Sequence, residues 1–114
     1  MATFQDNLAR AEAYLERFRT AGVLNHIDGE AVAAEDGETF ETISPIDLKP
    51  LARVAHGKAA DINRAARSAR AAFPAWAAMA GEARQALLHK IADAIVRRAE
   101  EIAFVERLAG VHAL

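Results

Sequence analysis

GEARQALLHKIADAIVRRAEEIAFVERL, residues 81–108, is the stretch on which the reading of the fold turns. Ala83, Leu87, Leu88, Ile91, Ala92, Ile95, Ala99, Ile102, Ala103 and Val105 recur mostly at steps of three and four. That spacing predicts one long helix with a continuous apolar stripe. Gly81 is the expected N-cap, and Glu82 sets a carboxylate in the first turn, against the positive helix end. Gly110 is the expected stop. Arg84, Lys90, Asp93, Arg97, Arg98, Glu100 and Glu101 fill the other faces. So long a helix with so wide an apolar face requires a large cover, and the remaining residues have to be judged by whether they supply it.

Immediately before it, Ile62, Ala65, Ala66, Ala69 and Phe73 form a second helical stripe, starting near Ala59 with Asp61 in the first turn. Pro74 removes a backbone donor and predicts that this helix ends or kinks near Ala72. Trp76 and Met79 fall on a short connector, which makes the two helices antiparallel neighbours with alanine on the facing sides. Upstream again, residues 23–57 change to period two. Leu24 to Ile27 leads into Asp28-Gly29, and Glu30 to Ala33 leads out, a hairpin signal. A turn at residues 35–37 precedes a strand from Thr39 to Ile43, a loop bracketed by Pro45 and Pro50, and a strand from Leu51 to Ala55 closed by Gly57. This section is a small antiparallel β-meander. Residues 1–22 hold a first amphipathic helix, with Phe4, Leu8, Ala11, Leu15 and Phe18 on one face and Gly22 at its end. The expected fold class is an α+β fragment: an N-terminal helix (1–22), a meander (23–57) and a helical pair (58–114).

The 114 residues are enough for one domain with a core. The 53% hydrophobic content exaggerates the driving force, because much of it is alanine, which removes little apolar area from water. A formal charge of −2 gives no general attraction to nucleic acid or to an anionic membrane. Without cysteine there is no disulfide framework, thiolate metal site or thiol nucleophile. No apolar run approaches membrane-spanning length, and the expected location is the cytoplasm.

The residue types that carry chemistry do not assemble into a site in the sequence. His26, His56, His89 and His112 show no i, i+4 pair and read as surface or turn residues. Ser44 and Ser68 lack the context of an activated nucleophile, and Ser44 before Pro45 reads as a turn residue. Gly29, Gly37 and Gly57 are turn glycines, not a phosphate cradle. Arg64, Arg67 and Arg70 line one side of a helix; they read as a solvated face balanced by Asp61 and nearby acids rather than as a phosphate grip. Glu100 and Glu101, being adjacent, diverge by about a hundred degrees on a helix and are no catalytic pair. No catalytic, cofactor-binding or metal-ligating residue is assigned.

From about Leu24 to Glu106 the chain resembles the N-terminal portion of the aldehyde dehydrogenase superfamily. Asn25-His26-Ile27-Asp28-Gly29 matches that family's opening strand and turn, and Thr42-Ile43-Ser44-Pro45 its threonine-x-x-proline strand exit. Leu51 to Ala55 corresponds to its next strand. Asp61-Ile62, Ala65, Ala69 to Phe73 and Trp76 follow its first helix. Arg84, Leu87-Leu88, Ile91 to Asp93, Ile95, Arg98, Glu100 to Ala103 and Glu106 follow its second. The opening resembles the semialdehyde dehydrogenases of aromatic catabolism, such as the 5-carboxymethyl-2-hydroxymuconate semialdehyde type. The resemblance implies NAD(P)-dependent oxidation of an aldehyde to a carboxylate, in which a cysteine attacks, hydride passes to nicotinamide and a glutamate-activated water releases the acid. It also implies that the cysteine, the glutamate and the NAD or NADP site lie beyond the matched region, so none falls on this chain. After Glu106 the family's aspartate-x-glycine turn is absent, which implies a truncated N-terminal portion, inactive alone. Its expected partner is the missing remainder of the enzyme, or a second copy. The alternative reading is a small helical protein–protein interaction module without catalysis; a nucleic-acid binder built on the arginine row is a third.

Overall fold

The computed structural model describes residues 3–109. Four helices and four strands follow one another: α1 (Phe4–Ala21), β1 (Asn25–Ile27), β2 (Glu30–Val32), β3 (Thr39–Ile43), β4 (Pro50–Ala55), α2 (Ala59–Ala78), α3 (Gly81–Arg97) and α4 (Ala99–Ala109). The α+β order is the expected one.

Capping chemistry starts and stops α1. The Thr3 hydroxyl accepts from the Asp6 N–H at 3.2 Å, while the Asp6 carboxylate accepts from the Thr3 N–H at 2.8 Å, a reciprocal capping box. At the other end Gly22 takes φ 69° and its N–H reaches the Phe18 carbonyl at 2.9 Å. A Cβ there would lie 3.1 Å from the Arg53 carbonyl oxygen, so glycine serves both the turn and the close approach.

The meander resolves into two separate two-stranded antiparallel sheets, β1–β2 and β3–β4. In the first, Ile27 faces Glu30 across Asp28 (φ 57°) and Gly29 (φ 77°), the two left-handed residues of a type I′ turn. In the second, Thr39 faces Ala55, and the register shifts between Thr42 and Ile43. Val23 joins the far edge of β4: its N–H donates to Arg53 at 2.7 Å and its carbonyl accepts from Ala55 at 2.8 Å.

Two helical expectations are corrected. Pro74 does not end α2, which runs on to Ala78. Residues 69 to 78 are all exposed, so water can satisfy the carbonyl that loses its donor. The last helical run is not continuous but breaks at Arg98 (φ −108°, ψ 14°) into α3 and α4. Ala80, not Gly81, stands at the N-cap of α3, with Glu82 in the first turn as expected. The expected stop at Gly110 lies outside the described residues.

The core is thin and lies mainly where α1 meets β4, with Ile27 of β1 and Ala34 of the loop after β2 buried as well. Its buried apolar residues are Ala11, Leu15, Ile27, Ala34, Leu51, Ala52 and Ala55, and no large side chain among the described residues is fully enclosed. Close contacts run from β3 through β4, α1 and α4 to α3, and separately from β2 through β1 to α2. The α2–α3 pair is not among them. The Cα radius of gyration is 17.7 Å, where a compact domain of this length has about 13 Å. The accessible surface is 8895 Å², against about 6,100 Å² for a folded monomer of this mass. The excess of roughly 2,800 Å² is larger than one side of an ordinary protein–protein interface.

Candidate functional site

Helices α2 and α3 carry a large share of the exposed apolar side chains. In α3 no residue is buried, and Leu88, Ile91, Ile95 and Val96 are each more than half exposed. In α2 only Asp61 is buried, while Ile62, Phe73 and Trp76 face outward. The stripe legible at residues 81–108 is therefore present, uncovered along α3 and partly covered by α1 along α4. An apolar surface of this extent marks a contact site.

Asp61, at 4% exposure, is the polar hub that the sequence reading missed as such. Its Oδ2 accepts from the Lys58 N–H and its Oδ1 from the Glu35 N–H, both at 3.0 Å. It thereby caps α2 and ties the 33–38 loop to it. It does not balance Arg64, Arg67 and Arg70, as expected from the sequence. Those three side chains enter no ion pair among the described residues. The available signal was the position of an aspartate three residues after Lys58 at a helix start.

An open depression of about 400 Å³ lies beside this hub, lined by Glu35, Asp36, Lys58, Ala60 and Asp61. Lys58 is neutralised at its rim: its Nζ stands 2.7 Å from both the Asp36 and Glu38 carboxylates. These hydrogen bonds, that to Asp36 foremost, raise the Lys58 ammonium above its ordinary range, and Lys58 in turn lowers Asp36. The Glu35 carboxylate on the same lining enters no ion pair among the described residues.

The histidines stay apart from any ligand set. His56 Nδ1 is 3.7 Å from Glu38 and its ring meets Phe40 edge-on at 5.8 Å. His26 and His89 are exposed, and His112 lies outside the described residues. Among the described residues no group of three histidines or carboxylates is placed to hold a metal ion. Ser44 is a turn residue, as expected: its Oγ accepts from the Ile46 and Asp47 N–H groups at 3.3 and 3.4 Å. Ser68 donates to Asp28 at 3.1 Å and fastens α2 to the β1–β2 turn. Glu100 and Glu101 diverge, the first to Arg10 at 3.0 Å, the second to Arg17 and Arg98. The Arg98 hydrogen bond, aided by Arg17, lowers the Glu101 carboxyl to about 2. No helix among the described residues is long and apolar enough to cross a membrane.

Known proteins supply the context for this arrangement. The sequence pattern of the aldehyde dehydrogenase family matches residues 31–110. The NADP/NAD-dependent aldehyde dehydrogenase PuuC of Escherichia coli K12 is 44% identical over 84 residues, which are 72% of this chain and 17% of that one. Aldehyde dehydrogenase 1 of Tanacetum cinerariifolium is 45% identical over 82 residues, 70% of this chain and 16% of that one. Among solved structures, HpcC from Thermus thermophilus superposes with a TM-score of 0.85 at 33% identity, over 89% of this chain and 20% of that chain. P. syringae AldA, an indole-3-acetaldehyde dehydrogenase solved with NAD+, superposes with a TM-score of 0.78 at 37% identity, over 95% of this chain and 21% of that chain. The chain spans about a sixth of the length of these curated relatives. A thin core at α1 and β4, two helices with uncovered apolar stripes and a matched sequence pattern over most of its length agree: the chain belongs to the aldehyde dehydrogenase family.

Proposed function

We propose that this chain is the N-terminal scaffold segment of an NAD(P)-dependent aldehyde dehydrogenase and that it neither binds dinucleotide nor oxidises an aldehyde by itself. The observation that carries the reading is the outward-facing stripe of α3, on a chain of this family that contains no cysteine. Oxidation of an aldehyde by an attacking thiolate requires that residue. Nor do the buried and charged groups offer a substitute, since Asp61, Lys58 and Glu101 are each engaged by neighbours.

In this reading the role of α2 and α3 is to cover another part of the enzyme, and the partner is that remainder. The opening's resemblance to semialdehyde dehydrogenases of aromatic catabolism supports a semialdehyde as the parent substrate. A cytoplasmic location belongs to the same reading.

Calorimetric titration of the purified chain with NAD and with NADP, followed by an aldehyde turnover assay, tests the proposal. The expected result is no heat of binding and no reduced nicotinamide. Saturable micromolar binding, or turnover, would overturn it. Sequencing the DNA beyond codon 114 tests the parentage: a glycine-rich dinucleotide site and a catalytic cysteine in any frame support it, and unrelated sequence refutes it.

A further inference from the structure

Helix α1 precedes the residues that the family pattern matches, yet it makes the contacts that position the last helix. One face of α1 carries Ala11 and Leu15 into the core on β4. Another carries Arg10, Tyr14 and Arg17, spaced four and three residues apart so that they stack along one side. Arg10 meets Glu100 at 3.0 Å, Tyr14 meets the Phe104 ring at a centroid distance of 5.9 Å, and Arg17 meets Glu101. Glu101 is held from a second side by Arg98, at 2.8 and 2.9 Å, from the residue at which α3 and α4 part. The Glu101 side chain is only 13% exposed between its two guanidinium partners. Helix α4 packs on α1, and α1 packs in turn on β4.

We propose that α1 is an electrostatic clasp: by sharing Glu101 with Arg98 it fixes α4 at its bend from α3, and release of α1 frees α4 to straighten onto α3. The continuous apolar periodicity of residues 81–108 is what makes the straight form available. Charge-assisted bonds in a partly covered seam are the contacts that salt weakens while apolar burial at β4 persists. The clasp is thus a conformational device sensitive to ionic strength, and it stands whether or not the scaffold reading holds.

The absence of cysteine allows clean spin labelling. Labels at Glu41→Cys on β3 and Arg107→Cys on α4, both at exposed positions, report the placement of α4 by pulsed dipolar spectroscopy. With α1 clasped, one narrow distance is expected. With Arg17→Ala and Arg10→Ala together, or in concentrated salt, the distribution should broaden and shift, while circular dichroism keeps its helical signal. Glu101→Gln keeps the shape of the side chain without its charge; it should shift the distribution in the same direction and guards against wholesale unfolding of the arginine variant. An unchanged distribution in Glu101→Gln and in salt would overturn the proposal, as would a shift that appears only with loss of helical signal.

Discussion

A pair of truncations in the two long apolar stripes separates covered from uncovered surface. Leu15 is 6% exposed, held by α1 against β4. Leu15→Ala removes buried methyl groups and leaves a cavity, at a cost of about 3 kcal/mol. Ile91, in α3, is 56% exposed. Full burial of such a side chain is worth about 1.5–3 kcal/mol, so the covered part contributes about 1 kcal/mol. Alanine recovers up to about 0.5 kcal/mol through its higher helix propensity. Ile91→Ala should therefore cost about 0.5 kcal/mol or less by this balance. Urea denaturation followed by far-ultraviolet circular dichroism measures both variants against the parent chain. The Leu15 variant should lose most of the stability of so thin a core, and the Ile91 variant almost none. Equal losses would mean that α3 is covered in solution, and the reasoning from its exposed stripe would fail.

Other consequences follow from single contacts. Asp61→Ala removes both backbone hydrogen bonds to a buried carboxylate and should lower stability by about 2 kcal/mol in the same denaturation assay; a loss below about 0.5 kcal/mol would contradict its role as the α2 cap. Glu101 has a folded-state value of about 2 against an ordinary 4.5. Its contribution is present in full above the ordinary value and disappears as pH falls toward the depressed one. The melting temperature should drop over that acid window, and Glu101→Gln should flatten the drop; an equal slope in the variant would refute the assignment. Leu48 sits at φ 58° and is 76% exposed. Leu48→Gly relieves left-handed strain at some entropic cost and should stabilise the chain by about 0.5 kcal/mol, whereas a loss of stability would show the conformation to be unstrained.

Periodicity and turn chemistry make most of the architecture legible in the sequence. The three-and-four spacing located α1, α2 and the 81–108 helical region, and Asp28-Gly29 located the first hairpin with its two left-handed residues. Local rules failed where the surroundings decide. Pro74 breaks a helix whose freed carbonyl is enclosed; here the carbonyl lies on an exposed face and α2 continues. The break at Arg98 is invisible in an unbroken apolar pattern, and the Arg17 guanidinium that meets Glu101 beside it comes from α1, distant in sequence. Asp61 read as a solvent charge beside an arginine row, since the loop that delivers the Glu35 N–H to it is distant in sequence. As for the site, the residues assign no catalytic set, and the hub at Asp61 emerges only in the fold. What they did not reveal is how little of α2 and α3 the rest of the chain covers, because the alternation and spacing define which face is apolar and not what lies against it.

Native-state hydrogen exchange along the whole chain tests the central claim most directly, that α2 and α3 are shaped to cover a surface outside the described residues. The account predicts slow exchange in α1 and β4 and fast exchange through α3 and the exposed length of α2, where helical hydrogen bonds lack apolar cover. Protection in α3 equal to that of α1 would contradict it.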